Sequence, residues 1–300
     1  MNISVILCTY NNSDRLSITL GEFHRLRQPE NLEWELIVVN NNSTDDTEEV
    51  IKSFSGRLPI TYVYEPKQGL SRARNAGLDA AEGQLIVFTD DDVKPVPGWL
   101  AAYWKAYQER PEGYYFGGPV ESDYEDGPPD DGLMDLAPPS VRGIEWGSEA
   151  GELTNGSFIG ANWACPKKYI DKSKAFKAKL GLGSGQGAGE ETDLMIRLRK
   201  KGLKPWYIPS ARIDHFVPSK KCTYEHIGNR MEDVAYSSYF QEDPPSVVVM
   251  FGIPIGILKE MLVSFAKYIV GINKKRSYIK WRAMNGSISG YFKSRKNGNI

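Results

Sequence analysis

Three consecutive aspartates, Asp90-Asp91-Asp92, stand at the end of the apolar run Leu85-Ile86-Val87-Phe88. Adjacent carboxylates repel one another, and a divalent cation offsets that repulsion because hard cations prefer carboxylate oxygens. Asp90 and Asp92 can face one side while Asp91 points away. A solvated acidic turn is the other reading of the triplet taken alone. A second acidic group, Glu190-Glu191-Thr192-Asp193, opens a helical pattern that ends at Gly202. Carboxylates in a first turn favour the helix dipole, so the group has a structural reading beside a chemical one. Further along stand His215, a potential metal ligand that could equally be structural, and the basic residues Lys220, Lys221 and Arg230.

The elements that must hold these groups are readable in the first half of the chain. Ile3 to Leu7 predicts a buried strand, and Asp14 to Leu26 follows with helical periodicity. Leu36 to Val39 predicts the next strand, then a helix from about Asp46 to Phe54 with cap candidates in Asn42-Ser43-Thr44-Asp45. Ile60 to Tyr64 and Leu85 to Phe88 predict two more strands, with a helix over Gly69 to Ala81 between them. Continuous apolar strands alternating with helices predict an α/β fold with a parallel sheet covered on both faces. In such sheets ligands sit beyond the carboxyl ends of the strands. Thr9-Tyr10-Asn11, Asn40-Asn41-Asn42 and Thr89 to Asp92 all fall at such ends.

From Glu121 to Glu152 the chain carries ten carboxylates against one basic residue, Arg142, which predicts a long loop. Structure is expected to resume near Phe158 to Asn162, and a Gly-rich stretch from Gly181 to Gly189 precedes the second acidic group. After His215 the pattern is helical, aromatic and basic, with no internal repeat.

Composition is that of a folded globular chain: 41% of 300 residues are hydrophobic, 25% charged, and mean hydropathy is −0.42. Cys8, Cys165 and Cys222 show no CxxC spacing, which argues against a disulfide framework or a zinc site and suits a reducing, cytoplasmic setting. No signal-peptide pattern opens the sequence, and the longest apolar run, Val247 to Leu258, falls short of the roughly 20 residues of a spanning helix. The net charge of −1 hides an asymmetry, with −8 over residues 1–215 and +7 over residues 216–300. Basic charge beside the apolar stretches Val247–Leu258 and Leu262–Ile272 admits two readings: peripheral contact with an anionic membrane, or helices packed back on the core.

The segments SVILCTYN at 4–11, VVNNNSTDDT at 38–47, GLSRARNAG at 69–77, LIVFTDDD at 85–92 and GEETDLMIRLRKKG at 189–202, in that order, resemble the family 2 glycosyltransferases of GT-A fold. The resemblance implies a Rossmann-like, mostly parallel sheet with helices on both faces, plus a C-terminal helical extension. It divides the chain into a catalytic domain at 1–215, with a nucleotide-binding half to about 120 and an acceptor half from about 121, and a basic extension at 216–300. It places Thr9, Tyr10, Asn11 and Asn40 at the base and ribose of a nucleotide-sugar donor, joined by Arg72, Asn75, Asp90 and Asp91. Arg72, Arg74 and Asn75 lie in the segment that reaches the nucleotide and braces the aspartates, and one of the two arginines is expected on the solvent face. Asp92, with His215 as a further ligand, is implied to hold Mn²⁺ or Mg²⁺. Glu191 is implied as the general base that deprotonates an acceptor hydroxyl in an inverting transfer, with Asp193 as runner-up and Glu190 positioning the acceptor. Asn162 and Trp163 are expected on the acceptor side, although Trp163 suits a core position equally.

The sequence departs from the family pattern at two points: many members have Asp where Asn40 stands, and Glu-Asp where Glu190-Glu191 stands. An amide oxygen can still accept from the N3–H of uracil or thymine, and glutamate keeps the carboxylate with one more methylene. The resulting expectation is a metal-dependent hexosyltransferase using a UDP- or dTDP-sugar. Its acceptor would be a glycan or a lipid-linked glycan in cell-surface polysaccharide, lipopolysaccharide or glycoconjugate synthesis, with no nucleic-acid partner. A catalytically inactive nucleotide- or glycan-binding relative is the alternative. A nucleotidyltransferase fits less well, because Thr9 to Arg15 contains no glycine for a phosphate loop.

Overall fold

The structure is a computed structural model that describes residues 1–130, 132–154, 157–171, 175–181, 188–245, 249–250 and 253–298. The middle of the Gly-rich stretch and part of the 247–258 run lie outside the described residues.

The chain begins with β1 (Ile3–Thr9), α1 (Ser13–His24), β2 (Trp34–Asn40), α2 (Thr47–Phe54), β3 (Ile60–Tyr64), α3 (Leu70–Ala80) and β4 (Leu85–Asp90). These are the elements expected from the apolar runs, with ends shifted by a few residues. All four strands are parallel, in spatial order β3-β2-β1-β4. Successive strand side chains point to opposite faces, and both faces are covered. Val5, Leu7, Val38 and Val87 pack against Leu16, Leu20 and Phe23 of α1 and Ile51 of α2. Ile6, Ile37, Val39, Ile86 and Phe88 pack against Ala73 and Leu78 of α3. The register pairs Thr9 with Asn40 and Cys8 with Asp90, which aligns the three polar clusters along one edge.

Beyond β4 the topology changes. The elements are β5 (Val93–Pro95), α4 (Trp99–Glu109), β6 (Tyr114–Gly117), β7 (Val120–Tyr124), α5 (Pro139–Arg142), β8 (Gly151–Glu152), β9 (Trp163–Pro166), α6 (Glu190–Lys200), β10 (Lys204–Tyr207) and β11 (Ile213–Val217). The large sheet continues as β4-β9-β6-β10-β8, with β9 antiparallel to both neighbours. A small sheet, β5-β11-β7, stands beside it. His215 therefore lies within a strand, paired with Val93 on one side and Ser122 on the other, rather than after the last strand.

The acidic region 121–152 is not the open loop its composition suggested. Val120 bridges Ile144, β7 pairs with β11, and α5 caps the turn between them. Five of its ten carboxylates pair with cations distant in sequence: Asp123 with Lys94, Glu121 with Arg212, Glu152 with Lys204, Asp130 with Lys275 and Asp135 with Arg276. A window of sequence sees only the local excess.

Asn162 and Trp163 are both fully buried, which corrects the expectation that they meet an acceptor. Trp163 stacks on Phe88 with centroids 4.6 Å apart. The Asn162 Oδ1 accepts from the Trp99 indole (2.9 Å) and the Tyr103 hydroxyl (2.8 Å), and its Nδ2 donates to the carbonyls of Pro119 (2.9 Å) and Ala211 (2.7 Å). One amide thus ties α4, the end of β6 and the start of β11 together.

The rest of the described chain is helical apart from a short hairpin: α7 (Tyr224–Ser237), β12 (Val249–Met250), β13 (Ile253–Pro254), α8 (Ile255–Ile269) and α9 (Lys274–Lys296). α7 and α9 touch backbone to backbone, since a Cβ on Gly286 would lie 2.1 Å from the Glu232 carbonyl oxygen. Ile227 and Ile279 join Val217, Leu133 and Val141 in a shared apolar cluster, so these helices pack back on the body.

Replacing Asn162 with Ala orphans several buried donors and acceptors at about 1–3 kcal/mol each. Urea unfolding of Asn162→Ala is expected to show a loss of about 3 kcal/mol or more, and a loss below about 1 kcal/mol would contradict the tie described here.

Candidate active site

The turn after β4 is held by α1. The Thr19 hydroxyl accepts from the Val93 amide (3.1 Å) and lies 2.9 Å from the Asp91 carbonyl, within donating distance. The Asn12 amide donates to Asp91 Oδ1 at 2.8 Å, which turns that carboxyl away from its neighbours. Burial, then repulsion from Asp92, pushes the Asp91 carboxyl up to about 7. The Asn12 hydrogen bond pulls the other way.

Asp90 and Asp92 face the remaining side. Asp92 Oδ1 is buried with no hydrogen-bond donor and lies 3.3 Å from Nε2 of His215, while its Oδ2 is 3.8 Å from Lys221 Nζ. Burial raises the Asp92 carboxyl above the usual range, against the pull of His215. The β5–β11 ladder makes the meeting with His215 possible, because it sets His215 opposite Val93. One ligand atom from each of Asp90, Asp92 and His215 falls within 4.8 Å of the others. Two carboxylate oxygens, one lacking any donor, and an imidazole nitrogen fit a divalent cation such as Mn²⁺ or Mg²⁺.

The opposite wall is the start of α6. Arg74 of α3 is almost fully buried and reaches across: Nη1 lies 2.5 Å from Glu190 Oε1 and 3.7 Å from Glu191 Oε2, and Nη2 lies 3.5 Å from Asp90 Oδ1. The guanidinium passes so close to Gly160 that a Cβ there would sit 2.6 Å from Nη2. Glu190 is buried and held by this contact, whereas a fifth of the Glu191 side chain remains open. Burial and the charge of Glu190 push the Glu191 carboxyl up to about 8, with Arg74 and Arg230 opposing the rise. Asp193 is fully buried, paired with Lys177 and Arg197 at 2.9 Å each and accepting from the Glu242 amide. Its carboxylate is occupied in anchoring α6.

At the other end of the cleft, Thr9 and Asn40 are buried side by side and Tyr10 is exposed. Asn11, in the left-handed region at φ 47°, accepts from the Thr44 amide at 2.7 Å. Asn40 Oδ1 accepts from the Ser43 amide (2.9 Å) and its Nδ2 donates to the Tyr62 hydroxyl (3.3 Å). Asn41, which sequence reasoning left without a role, closes the 65–69 loop through bonds to Glu65, Lys67 and Gly69.

Asp90, Asp92, His215, Glu190 and Glu191 are therefore gathered in one place, with Thr9 and Asn40 on the same sheet edge. Arg72 is exposed, and the Asn75 amide is engaged with the Phe176 backbone. Arg74, not Arg72, is the arginine that meets the carboxylates. Its signal was present in the helical period, because it shares a buried face with Ser71, Gly77 and Leu78.

Residues 4–152 match the description of glycosyl transferase family 2. The chain belongs to that family. The glycosyltransferase is 24% identical over 233 residues to the succinoglycan biosynthesis protein ExoM of Rhizobium meliloti, covering 77% of this chain and 72% of that protein. It is 35% identical over 108 residues to validoxylamine A glucosyltransferase of Streptomyces hygroscopicus subsp. jinggangensis, over 35% of this chain but only 25% of that protein. Among solved structures, Staphylococcus aureus TarS 1–349 in complex with UDP superposes with a TM-score of 0.57 at 14% identity, covering 99% of this chain and 92% of that one. The Pyrobaculum calidifontis mannosyltransferase in complex with GDP-Man and Mn²⁺ gives 0.59 at 17% identity, covering 95% and 86%. The glycosyltransferase thus has the GT-A fold, with a helical C-terminal region.

Arg74→Met would leave Glu190 and Asp90 without their shared cation. Unfolding by urea at pH 8 is expected to show a loss of about 3–5 kcal/mol. A variant as stable as the wild type at pH 8 would contradict the bridging role.

Proposed function

We propose that this glycosyltransferase moves a sugar from a UDP- or dTDP-sugar to an acceptor hydroxyl, with inversion at the anomeric carbon. We further propose that its acceptor is a growing or lipid-linked glycan in cell-surface polysaccharide, lipopolysaccharide or glycoconjugate assembly, in the cytoplasm near the inner membrane face. One observation carries the reading: the Asp90–Asp92–His215 cluster faces Glu191 across a single buried arginine. The TarS and mannosyltransferase structures, with UDP and with GDP-Man and Mn²⁺, support a nucleotide-linked donor and a metal.

In this reading Thr9, Tyr10, Asn11 and Asn40 receive the base and ribose, and Asp90 lies beside the ribose. Tyr10, half exposed at the cleft mouth, offers a stacking face. Asp92 and His215 hold the cation with Asp90, while Asp91 shapes the turn through Asn12. A bound Mn²⁺ or Mg²⁺ would act as a Lewis acid on the donor diphosphate, stabilising its charge as the sugar leaves. Lys221 and Arg230 add positive charge on that side, and Arg230 Nη1 is buried with no acceptor of its own.

Glu191 takes the proton from the acceptor hydroxyl as the new bond forms. A carboxyl raised toward neutral pH is a stronger base than an ordinary glutamate, so burial beside Glu190 suits Glu191 to the task. Glu190, locked by Arg74, sets the direction from which Glu191 approaches. Residues 1–215 would form the catalytic unit, with the helices after 215 closing over the diphosphate side.

Hydrolysis of a panel of UDP- and dTDP-sugars in Mn²⁺ tests the reading. Asp92→Ala and Glu191→Gln are each expected to lower kcat/KM by about 10²–10⁴-fold. The wild type is expected to gain activity as pH rises toward about 8, because the base must be ionised, and Glu191→Gln is expected to lack that limb. Equal rates in the wild type and Asp92→Ala would indicate an inactive relative.

A further inference from the structure

α8 carries an apolar stripe that nothing among the described residues covers. Its inner side packs on α9, with Ser264 buried and Tyr268 stacked on Trp281 at 6.2 Å. On the outer side Leu262 is 56% and Ile269 65% exposed, with Ile255 and Ala266 also open, while Phe265 turns its ring toward Trp281 of α9 with centroids 5.3 Å apart. Positions 255, 262, 266 and 269, all exposed, recur at helical spacing and form one stripe. Val270 and Ile272 extend it past the end of the helix, both more than half exposed. Apolar side chains at this spacing on the outside of a packed helix mark a contact surface rather than scattered exposure.

The charges around the stripe indicate what it contacts. Part of the basic charge after residue 215 is paired internally: Lys275 with Asp130, Arg276 with Asp135 and Arg282 with Glu232. Lys259 and Lys267 on α8, and Lys274 just beyond it, are exposed and have no ion-pair partner among the described residues. An apolar stripe bordered by lysines complements an anionic lipid surface, with side chains in the acyl boundary and ammonium groups at phosphate level. At 15 residues α8 is about 22 Å long, too short to cross a hydrocarbon core of about 30 Å, so it would lie on the membrane. A second copy of the chain fits less well. A stripe about 22 Å by 10 Å offers on the order of 220 Å² per partner, against about 800 Å² in a stable dimer.

We propose that α8 seats the transferase on an anionic membrane, with Leu262 and Ile269 inserted and Lys259, Lys267 and Lys274 at the headgroups. The inference gives the membrane location of the proposed function a specific surface but needs none of its chemistry, so either can fail alone.

Co-sedimentation of the full chain with vesicles tests it, comparing phosphatidylcholine alone with phosphatidylcholine containing phosphatidylglycerol. The wild type is expected to pellet with the anionic vesicles at least about tenfold more than with neutral ones, and less as salt rises. Leu262→Asp combined with Ile269→Asp is expected to abolish pelleting. Lys259→Glu with Lys267→Glu and Lys274→Glu, all at exposed positions, is expected to remove the preference for anionic lipid. Donor hydrolysis in solution is expected to be unchanged in both variants, which separates loss of docking from loss of fold or of the transfer site. Three results would overturn the proposal: a wild type that stays in the supernatant, variants that pellet like the wild type, or a dimer by light scattering that Leu262→Asp breaks while vesicles bind nothing.

Discussion

A buried guanidinium among three carboxylates sets the terms for the site. Arg74 lies between the end of β4 and the start of α6, and its charge permits Asp90, Glu190 and Glu191 to occupy neighbouring ground. Unpaired, any of these carboxylates would be costly where it stands, and two of them face each other from different elements. The arginine is fixed by its own helix, whose buried face packs on the parallel strands. The end of β4 and the start of α6, the two walls of the cleft, are thus held at one distance by one side chain. Burial first, and then the charge of Glu190 against the opposing pull of Arg74, pushes the Glu191 carboxyl up to about 8.

The same economy of charge runs outward from the centre. Asp193, one turn along from Glu190, fastens α6 to Lys177 and the backbone of Glu242, and pairs with Arg197 one turn further along the same helix. Glu242 also pairs with Lys177, so the segment after α7 helps to hold the helix that carries Glu191. Lys221 lies beside Asp92 from the loop leading into α7. The C-terminal region is therefore joined to the site at both walls, and its helices brace the cleft as well as exposing the stripe on α8.

How much of this was legible depended on whether the cause was local. The strands β1 to β4 could be read because each is buried on both faces and so appears as an unbroken apolar run. The acidic triplet could be read because adjacent carboxylates at a strand end carry chemical meaning, whereas Glu190-Glu191 drew notice through the family resemblance. The acceptor half could not: β9 enters antiparallel, Trp163 is as apolar in the core as it would be beneath a sugar, and Asn162 makes its four bonds to residues 43 to 63 positions away. The acidic region looked open because its counter-charges, such as Arg276, lie far along the chain. Arg74 and Arg72 differ by two positions, and only the helical phase of α3 separates the buried one from the exposed one.

If the cluster binds a cation beside a donor diphosphate, Mn²⁺ must sit at a defined point. Anomalous scattering from crystals grown with UDP and Mn²⁺ locates it. The predicted result is a manganese peak bounded by the Asp90 and Asp92 carboxylates and Nε2 of His215, in contact with the nucleotide phosphates. A bound nucleotide with no manganese peak there, or with manganese held by other residues, would contradict the assignment.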